Sequence, residues 1–541
     1  MSKQDNSFIK GAIILAAAGI FVRIMGAVYR IPLYSILGDT GMGYFQMAYP
    51  IYSSLLAIST AGIPVAISKM VAERMANNNV KGAYQVLKIA LTLMLITGLT
   101  FSLVLYFGAE YWANLMGQPP AMYSLRAISP GIFLVVIMAA FRGFFQGNQT
   151  MLPTAISQIL EQIIRVATIF YLSWILLPKG VEFAAAGATF GVVTGSLAGV
   201  CALLIFFMFY KKDKHDFVLN SELIQQSNKK VLKQMVLLAL PITIASLVLP
   251  LIQMVDLLIV PLRLNVAGFS QQEAAALYGN LSGAAMPLVN VPTLFTLALA
   301  QSLIPSISSA NALKNYSGIK SKANLAIKLT LLIGLPSTIG MFVLAEPISI
   351  MLYDNIAVAA PLAVACFAVV FLTLHQTTSA LLQGLGRTVV PVTNLFIGVI
   401  FKMGINYFLT AIPALNIRGP ALGTVISYFV SSGLNLYIIL KVIGMPFSIK
   451  EFVFKPLFTA GSMGAVVYLS YPFLFNVLDG LGMLRERIVI SLSVLASVGI
   501  GVVVYGILLL VSGTISKEEL TNIPKIGNKL VGMLTKLKIY R

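Results

Sequence analysis

Cysteine, histidine and acidic residues are scarce in this chain. Its 541 residues include two Cys, two His and 18 Asp and Glu residues, against 37 Lys and Arg residues. Cys201 and Cys366 both fall in long apolar segments, which argues against a disulfide framework or a thiol metal site. The sequence also has no Asp-x-Asp pair, no Walker loop and no Cys/His cluster. It therefore gives little basis for enzymatic chemistry or a bound cofactor.

Charged residues make up only 10% of the chain, whereas 58% of the residues are hydrophobic. That balance leaves too little polar surface for a soluble protein of this length. Fourteen apolar segments each exceed the roughly 20 residues that a helix needs to cross a bilayer. They lie at 8–36, 43–72, 82–108, 124–146, 153–177, 184–210, 231–262, 275–310, 322–345, 360–382, 389–412, 418–443, 452–474 and 488–511. We therefore expect an all-α integral membrane protein with fourteen transmembrane helices.

The positive charges predict how the chain is oriented in the membrane. Twenty-seven of the 37 Lys and Arg residues lie at the termini and on or beside alternate loops. Because such loops stay in the cytoplasm, both termini are predicted to be cytoplasmic in a bacterial plasma membrane. The net charge of +19 thus follows from topology and does not indicate a nucleic-acid partner. Clusters such as Lys229-Lys230 suit anionic lipid headgroups.

Weak internal repeats divide the chain into two halves. Four motif pairs recur in order at offsets of 232–241 residues: Ile63-Pro64 and Ile304-Pro305, Gln146-Gly147 and Gln383-Gly384, Pro153 and Pro391, and Gly187-x-x-x-Gly191 and Gly419-x-x-x-Gly423. An even number of spans per half predicts two parallel six-helix repeats. The predicted parts are an N-lobe at 1–210, a cytoplasmic linker loop at 211–230, a C-lobe at 231–443, two further helices within 444–511, and a basic amphipathic tail at 512–541.

Prolines interrupt three of the predicted spans. They are Pro50 and Pro64 in the second segment, Pro241 and Pro250 in the seventh, and Pro287, Pro292 and Pro305 in the eighth. Proline frees backbone groups that lipid cannot satisfy, so such helices must face protein or a wet cavity. These three spans are therefore expected to line a central cavity.

Four arginines inside the apolar segments predict an anion site: Arg23, Arg30, Arg126 and Arg165. A charge at the centre of a membrane helix costs about 2.5–3.5 kcal/mol on insertion scales, so each one needs a reason. Arg23 and Arg30 are seven residues apart and share a helix face with small glycines. The planar guanidinium fork suits phosphate, so we expect these arginines to bind an anionic ligand.

Acidic residues inside the segments leave two interpretations open. Asp256 and Arg263 are seven residues apart on the seventh segment. Asp256, helped by Asn394, is suited to a coupling cation such as Na⁺ or H⁺, or it instead neutralises Arg263 or Lys402. Glu161 lies four residues before Arg165 and is expected to pair with it.

His375 stands alone in the tenth segment, 360–382. A lone histidine among apolar residues is typical of a hydrogen-bonded core residue. We therefore do not assign it a ligand-binding role.

Several motifs resemble the polysaccharide-export branch of the multidrug/oligosaccharidyl-lipid/polysaccharide exporter superfamily. They are Phe21-Val-Arg23-Ile-Met-Gly26-Ala-Val-Tyr-Arg30, Gly38-Asp-Thr-Gly41-Met-Gly43-Tyr-Phe and Tyr49-Pro50. Within that branch the chain is most similar to the lipid II flippases and the stage V sporulation protein B group. The resemblance implies two lobes around a cationic cavity and export of an undecaprenyl-linked cell-wall precursor by alternating access. Ser53 and Ser54 stand where Gram-negative members carry an arginine.

The sequence therefore predicts a flippase of a lipid II-like precursor that serves peptidoglycan synthesis and functions as a monomer. The expected partners are the lipid-linked oligosaccharide, anionic lipids and cell-wall synthesis or division proteins. Two alternatives remain: a cation-coupled multidrug antiporter of the same superfamily, and a non-transporting division or sporulation scaffold.

Overall fold

The structure is a computed structural model that describes residues 3–60, 62–213, 226–444, 448–480 and 485–513. Side chains are described for these residues except 3–10, 12–13, 211–213 and 245. Within these ranges every regular element is a helix, which confirms the all-α prediction. The predicted amphipathic tail, apart from residues 512–513, and most of the predicted linker loop lie outside the described residues.

The chain forms two compact units, Met1–Ala284 and Ala285–Arg541, called here the N-terminal unit and the C-terminal unit. The described helices of the N-terminal unit are α1 (Lys3–Val28), α2 (Arg30–Thr60), α3 (Ile63–Ala76), α4 (Val80–Leu115), α5 (Ala121–Ile128), α6 (Pro130–Gly147), α7 (Leu152–Leu176), α8 (Val181–Asp213), α9 (Asn228–Val266) and α10 (Gln271–Tyr278). A π-helical turn, Gly279–Ala285, follows α10. The lobes predicted from the repeat have other boundaries and stay a prediction.

The C-terminal unit is also helical throughout its described residues. Its helices are α11 (Met286–Asn290), α12 (Thr293–Ala312), α13 (Tyr316–Val343), α14 (Ala345–Tyr353), α15 (Ala359–Ala365), α16 (Ala368–Gly384), α17 (Val389–Leu409), α18 (Arg418–Ile443), α19 (Lys455–Asp479) and α20 (Glu486–Val511). A π-helical turn at Lys450–Phe454 precedes α19.

Twelve of the described stretches are long and apolar enough to cross a membrane. The pair formed by α15 and α16, bent by 44°, makes a thirteenth. One of the twelve, Ile14–Ala76, is 63 residues long and contains two predicted segments, whereas about 20 residues suffice for one crossing. The chain is therefore a multi-pass membrane protein, and the count of fourteen spans stays a prediction.

Two of the three proline-rich spans, the second and the eighth, are divided, whereas the prediction is wrong for the seventh, because α9 continues through Pro241 and Pro250. In α2 the helix is interrupted at Gly38, whose φ of 64° and ψ of −174° are not helical. Pro50 remains inside α2, and the Ser54 hydroxyl donates to its carbonyl oxygen at 2.7 Å. Pro64 lies in the first turn of α3, where the missing N–H has no helical partner to lose.

The predicted eighth segment, 275–310, is divided into four elements: the end of α10, the π-helical turn, α11 and α12. The start of α10 is fixed by a capping box between Ser270 and Glu273. The Glu273 carboxylate accepts the Ser270 backbone N–H at 2.8 Å, and this hydrogen bond lowers the pKa of that carboxyl.

Left-handed backbone positions recur at the spacing of the predicted repeat. In the described part of the chain, five such residues of the first half have counterparts 230–237 residues later. The pairs are Gly38 and Gly268, Asn78 and Lys314, Gly117 and Asp354, Gln149 and Gly386, and Gly180 and Asn416. Because these are the turns between successive helices, their recurrence in order supports an internal duplication. The parallel orientation of the two repeats stays a prediction.

The topology can be tested by cysteine accessibility at four exposed loop or helix-end positions. In a variant without Cys201 and Cys366, we expect Ala357→Cys and Ala414→Cys to react with an impermeant maleimide on intact cells. Asn77→Cys and Asn311→Cys should react only after permeabilisation, because the Lys and Arg distribution places their loops inside. The opposite pattern would reverse the predicted orientation.

Candidate functional site

Glycines of α8 determine how closely α7 can approach it. A Cβ atom at Gly191 would lie 2.9 Å from the carbonyl oxygen of Arg165, and one at Gly195 would lie 2.6 Å from that of Glu161. These contacts are too short for any residue but glycine, so the predicted small-residue motif of α8 is a close helix–helix contact. This contact fixes the α7 backbone at Glu161 and Arg165, two residues with ionised side chains.

Glu161 binds two arginines in the N-terminal unit. Its Oε1 accepts a hydrogen bond from Nη2 of Arg165, which confirms the predicted pair. Its Oε2 accepts Nη2 of Arg142 at 2.9 Å, and Nε of Arg142 donates to the Ser157 hydroxyl at 3.0 Å. The Glu161 side chain is only 13% exposed. We call Arg142, Glu161 and Arg165 the charge triad, and its formal charge is positive.

Arg142 was not among the arginines predicted from the sequence. It lies four residues before the end of the segment 124–146, and a cation so close to a loop resembles the loop cations that determine orientation. The structure places Arg142 on α6, with a side chain that is only 16% exposed. Arg142 and Glu161 are 19 residues apart and on different helices, so helical periodicity does not predict their contact. The only sequence signal for Arg142 was its position near the end of a span that also contains aromatic residues.

Arg165 and Arg30 both lie close to Tyr49. Four ionisable side chains act electrostatically on the Tyr49 hydroxyl, namely those of Arg30, Arg165, Tyr29 and Tyr52. The Tyr49 ring lies 6.5 Å from the Tyr52 ring, edge to face. We call these five residues the arginine–tyrosine cluster. The structure thus unites two of the four predicted anion-binding arginines.

Both arginines of this cluster retain hydrogen-bonding capacity. Nε of Arg30 and Nε of Arg165 are buried, and neither has a hydrogen-bond partner among the described residues. Most buried donors in native proteins are paired, so unpaired ones at one place indicate a site for an acceptor. Two guanidinium groups with free Nε donors offer that acceptor a positive, directional environment.

Arg23 occupies an open face of α1. Its side chain is exposed, and within the described residues no hydrogen bond or ion pair holds it. A Cβ atom at Gly19 or Gly26 would have no neighbour within 4 Å. The glycine face of α1 is therefore not used for helix packing in this structure, and Arg23 stays a predicted ligand-binding residue.

Arg126 has a different environment from the cluster. Its Nη2 lies 3.6 Å from the Glu110 carboxylate, and the two side chains are 38% and 66% exposed. Exposed pairs of this kind contribute little to stability. Sequence spacing could not show this partner, because Glu110 lies on α4 and Arg126 on α5. Its role in an anion site stays a prediction.

Asp256 and Arg263 lie two turns apart on α9, and both side chains are half-buried. Asp256 acts electrostatically on Tyr278 of α10. Its assignment to a coupling cation, or to neutralisation of Arg263 or Lys402, stays a prediction.

The C-terminal unit contains polar residues at the repeat-equivalent positions. Adding 237 to Arg142, Ser157 and Arg165 gives Ser379, Asn394 and Lys402. Lys402 is buried, and a Cβ atom at Gly423 would lie 3.4 Å from its Cγ. Gly423 therefore packs against Lys402 as Gly191 packs against Arg165. The position equivalent to Glu161 is Gly398, so this half keeps the buried cation without the carboxylate.

His375 belongs to the polar network of that second half. Its Nδ1 lies 2.9 Å from the Ser431 hydroxyl, which confirms the predicted hydrogen-bonded core histidine. Asn394 donates to Asn435 at 2.8 Å, and Asn435 donates to Ser379 at 3.3 Å. The sequence did not indicate Ser431 or Asn435, since polar residues are common in membrane helices.

The structure thus places a positively charged cluster inside a helical membrane unit. A family model described as polysaccharide biosynthesis protein matches residues 8–311, and a MatE model matches residues 241–408. The chain belongs to the polysaccharide biosynthesis protein family and is a transporter of the multidrug/oligosaccharidyl-lipid/polysaccharide (MOP) superfamily.

Three relatives from Bacillus subtilis cover most of the chain. Uncharacterized membrane protein YabM is 33% identical over 96% of this chain and 95% of its own length. Stage V sporulation protein B is 30% identical over 98% of this chain and all of its own length (100%). Lipid II flippase MurJ is 26% identical over 79% of this chain and 81% of its own length.

Two solved structures share the fold equally well. A lipid II flippase MurJ in an inward closed conformation has a TM-score of 0.66 at 18% identity, covering 92% of this chain and 98% of that one. An inward-facing multidrug resistance MATE family transporter also has a TM-score of 0.66, at 19% identity, covering 80% of this chain and 98% of that one. At these identities the likeness concerns the fold alone.

The charge triad predicts a measurable coupling between Arg142 and Glu161. In a double-mutant cycle with Arg142→Gln and Glu161→Gln, we expect a coupling free energy of about 1–3 kcal/mol, because Glu161→Gln leaves the shielded Arg142 without its carboxylate and Arg142→Gln removes the partner of Glu161 Oε2. Unfolding in mixed detergent micelles would measure it. The matched control is Lys69→Gln with Glu73→Gln, an exposed pair at 3.9 Å that should couple by less than about 0.5 kcal/mol. Equal coupling in both cycles would contradict a structural triad.

Proposed function

We propose that this protein flips an undecaprenyl-pyrophosphate-linked cell-wall precursor of the lipid II type across the bacterial cytoplasmic membrane. The observation that carries the proposal is the arginine–tyrosine cluster, where Arg30 and Arg165 present unpaired buried donors beside Tyr49. A pyrophosphate supplies the acceptors that such donors lack, and guanidinium binds phosphate oxygens in pairs. The name of one relative, lipid II flippase MurJ, agrees with this substrate class.

The charge triad keeps the net charge around Arg165 positive, which favours binding of an anionic ligand there. If Glu161 paired with Arg165 alone, the two charges would cancel and an anion would gain little there. Arg142 binds the second carboxylate oxygen, so the three residues together retain a positive charge. Arg142 thus acts as a positioning residue, while Arg165 contacts the ligand.

Arg23 completes the proposed path for the headgroup. It lies on α1, on the open glycine face, and precedes Arg30 by seven residues. In the proposed cycle, Arg23 receives the headgroup first and the arginine–tyrosine cluster then holds it. The polyprenyl chain stays in the lipid. A coupling cation, Na⁺ or H⁺, would bind at Asp256, the acid of α9 beside Tyr278.

A multidrug antiporter is the second candidate, because the MATE transporter structure matches the fold as well as the flippase does. Antiport of cationic drugs requires acidic or aromatic residues in the cavity. In the described N-terminal unit the cluster is aromatic but positive, so drug cations would be repelled from it.

The proposal can be tested in a bacterium whose own lipid II flippase is depleted. Expression of this chain should restore growth and the outer-leaflet fraction of lipid II. Failure to do so, with the protein inserted and with dye efflux restored in place of lipid II flipping, would favour the antiporter.

Substitutions in that strain test the anion site. Arg30→Ala, Arg165→Ala and Arg23→Ala should each lower the flipping rate at least about tenfold, since a hydrogen bond to a charged group contributes about 1.5–3 kcal/mol. The Lys variants should recover only part of the rate, because a point charge replaces the fork. Arg387→Ala, which removes an exposed arginine, serves as the control. Full activity of the three Ala variants at matched expression would end the anion-site proposal.

A further inference from the structure

A second amphipathic site lies on the N-terminal unit, between α4 and the first turns of α9. The groove there has a volume of about 370 Å³ and shares no lining residue with the arginine–tyrosine cluster. Its lining includes Gln85, Lys88 and Ile96 of α4 and Asn228, Lys229 and Leu232 of α9. Polar residues line one end of each helix segment, and apolar residues line the other.

Two cations mark the polar end. Lys88 and Lys229 are both exposed, and they belong to different helices that border the same groove. Beside them, Gln85 donates to the Asn228 side chain at 2.6 Å and to the Gln226 carbonyl oxygen at 2.7 Å. These bonds connect α4 to the start of α9 beside the two lysines.

A polar pocket of about 250 Å³ adjoins the groove, since Gln85 lines both. Arg74, Asn77 and Gln234 line this pocket and supply hydrogen-bond donors. Glu73 also lines it, and its carboxylate lies 3.9 Å from Lys69. The two spaces together therefore suit an amphiphile with a polar headgroup and an apolar chain.

The apolar part of the groove fits within one leaflet. On α4 it runs from Ile89 to Ile96, seven residues apart, and a rise of about 1.5 Å per residue gives roughly 10 Å along the helix axis. Half of a hydrocarbon core of about 30 Å is about 15 Å. An acyl chain of an ordinary phospholipid therefore fills this groove without crossing the bilayer midplane.

We propose that this groove binds an anionic glycerophospholipid of the leaflet that the Lys and Arg distribution assigns to the cytoplasm. The phosphate lies between Lys88 and Lys229, and the glycerol headgroup enters the polar pocket. One acyl chain runs along α4 to Ile96 and contacts Leu232. Since α9 packs on α2, α3 and α4, the bound lipid holds α9 in this arrangement and links transport to lipid composition.

The test is native mass spectrometry of the full chain released from nanodiscs. We expect phosphatidylglycerol to be retained about 25-fold more tightly than phosphatidylcholine, since each of the two lysines near an anionic lipid contributes about fivefold. Lys88→Gln with Lys229→Gln should remove this preference. Leu232→Trp should weaken retention of both lipids, because the indole occupies the apolar part of the groove.

The matched control is Lys314→Gln with Lys450→Gln, which removes two exposed lysines of the same predicted membrane side but not of the groove. It should retain phosphatidylglycerol like the wild type. Equal retention of the two lipids by the wild type would overturn the proposal, as would equal loss in the control. Displacement of phosphatidylglycerol by lipid II would assign the groove to the substrate chain and also overturn it. None of these outcomes depends on whether the protein flips lipid II.

Discussion

The cost of placing ionised groups inside an apolar helical unit determines the arrangement of this site. Glu161 lies where α7 and α8 are in close contact, and its carboxylate would be unstable there without partners. Arg142 and Arg165 each take one of its oxygens, and this pairing leaves a positive charge in excess. The Tyr49 and Tyr52 rings, in edge-to-face contact, lie close to that charge. The Nε donors of Arg30 and Arg165 remain without a hydrogen-bond partner among the described residues.

The fold class was readable from the sequence because hydrophobicity alone decides which segments enter a membrane. The breaks were readable only in part, because α3 begins at the Ile63-Pro64 pair and Pro287 and Pro292 lie in the divided eighth segment, whereas Pro241 and Pro250 lie inside the continuous helix α9. The repeat was weak in the sequence and is clearer in the backbone, where left-handed turns such as Gln149 and Gly386 recur in order. Turn geometry survives substitution better than residue identity, because any residue that tolerates the conformation can occupy the position.

The site was only partly predictable. The Glu161–Arg165 pair follows helical periodicity, so the sequence showed it. The binding of Arg142 to Glu161, and of Arg126 to Glu110, joins different helices, and no spacing encodes such contacts. The equivalence of Lys402 with Arg165 required the register of the repeat, which the motifs alone left uncertain by several residues. Helix packing, rather than local pattern, determined which arginines meet.

Fold alone does not separate a flippase from an antiporter, since both solved structures match this chain with the same TM-score. The proposed function separates them by the sign of the charge in the N-terminal unit, because a positive cluster attracts an anionic headgroup and repels drug cations. The most direct measurement uses proteoliposomes that contain the purified protein together with labelled lipid II and a cationic dye. The account predicts that lipid II reaches the far leaflet while the dye distribution stays unchanged. Movement of the dye with lipid II retained in its original leaflet would contradict it.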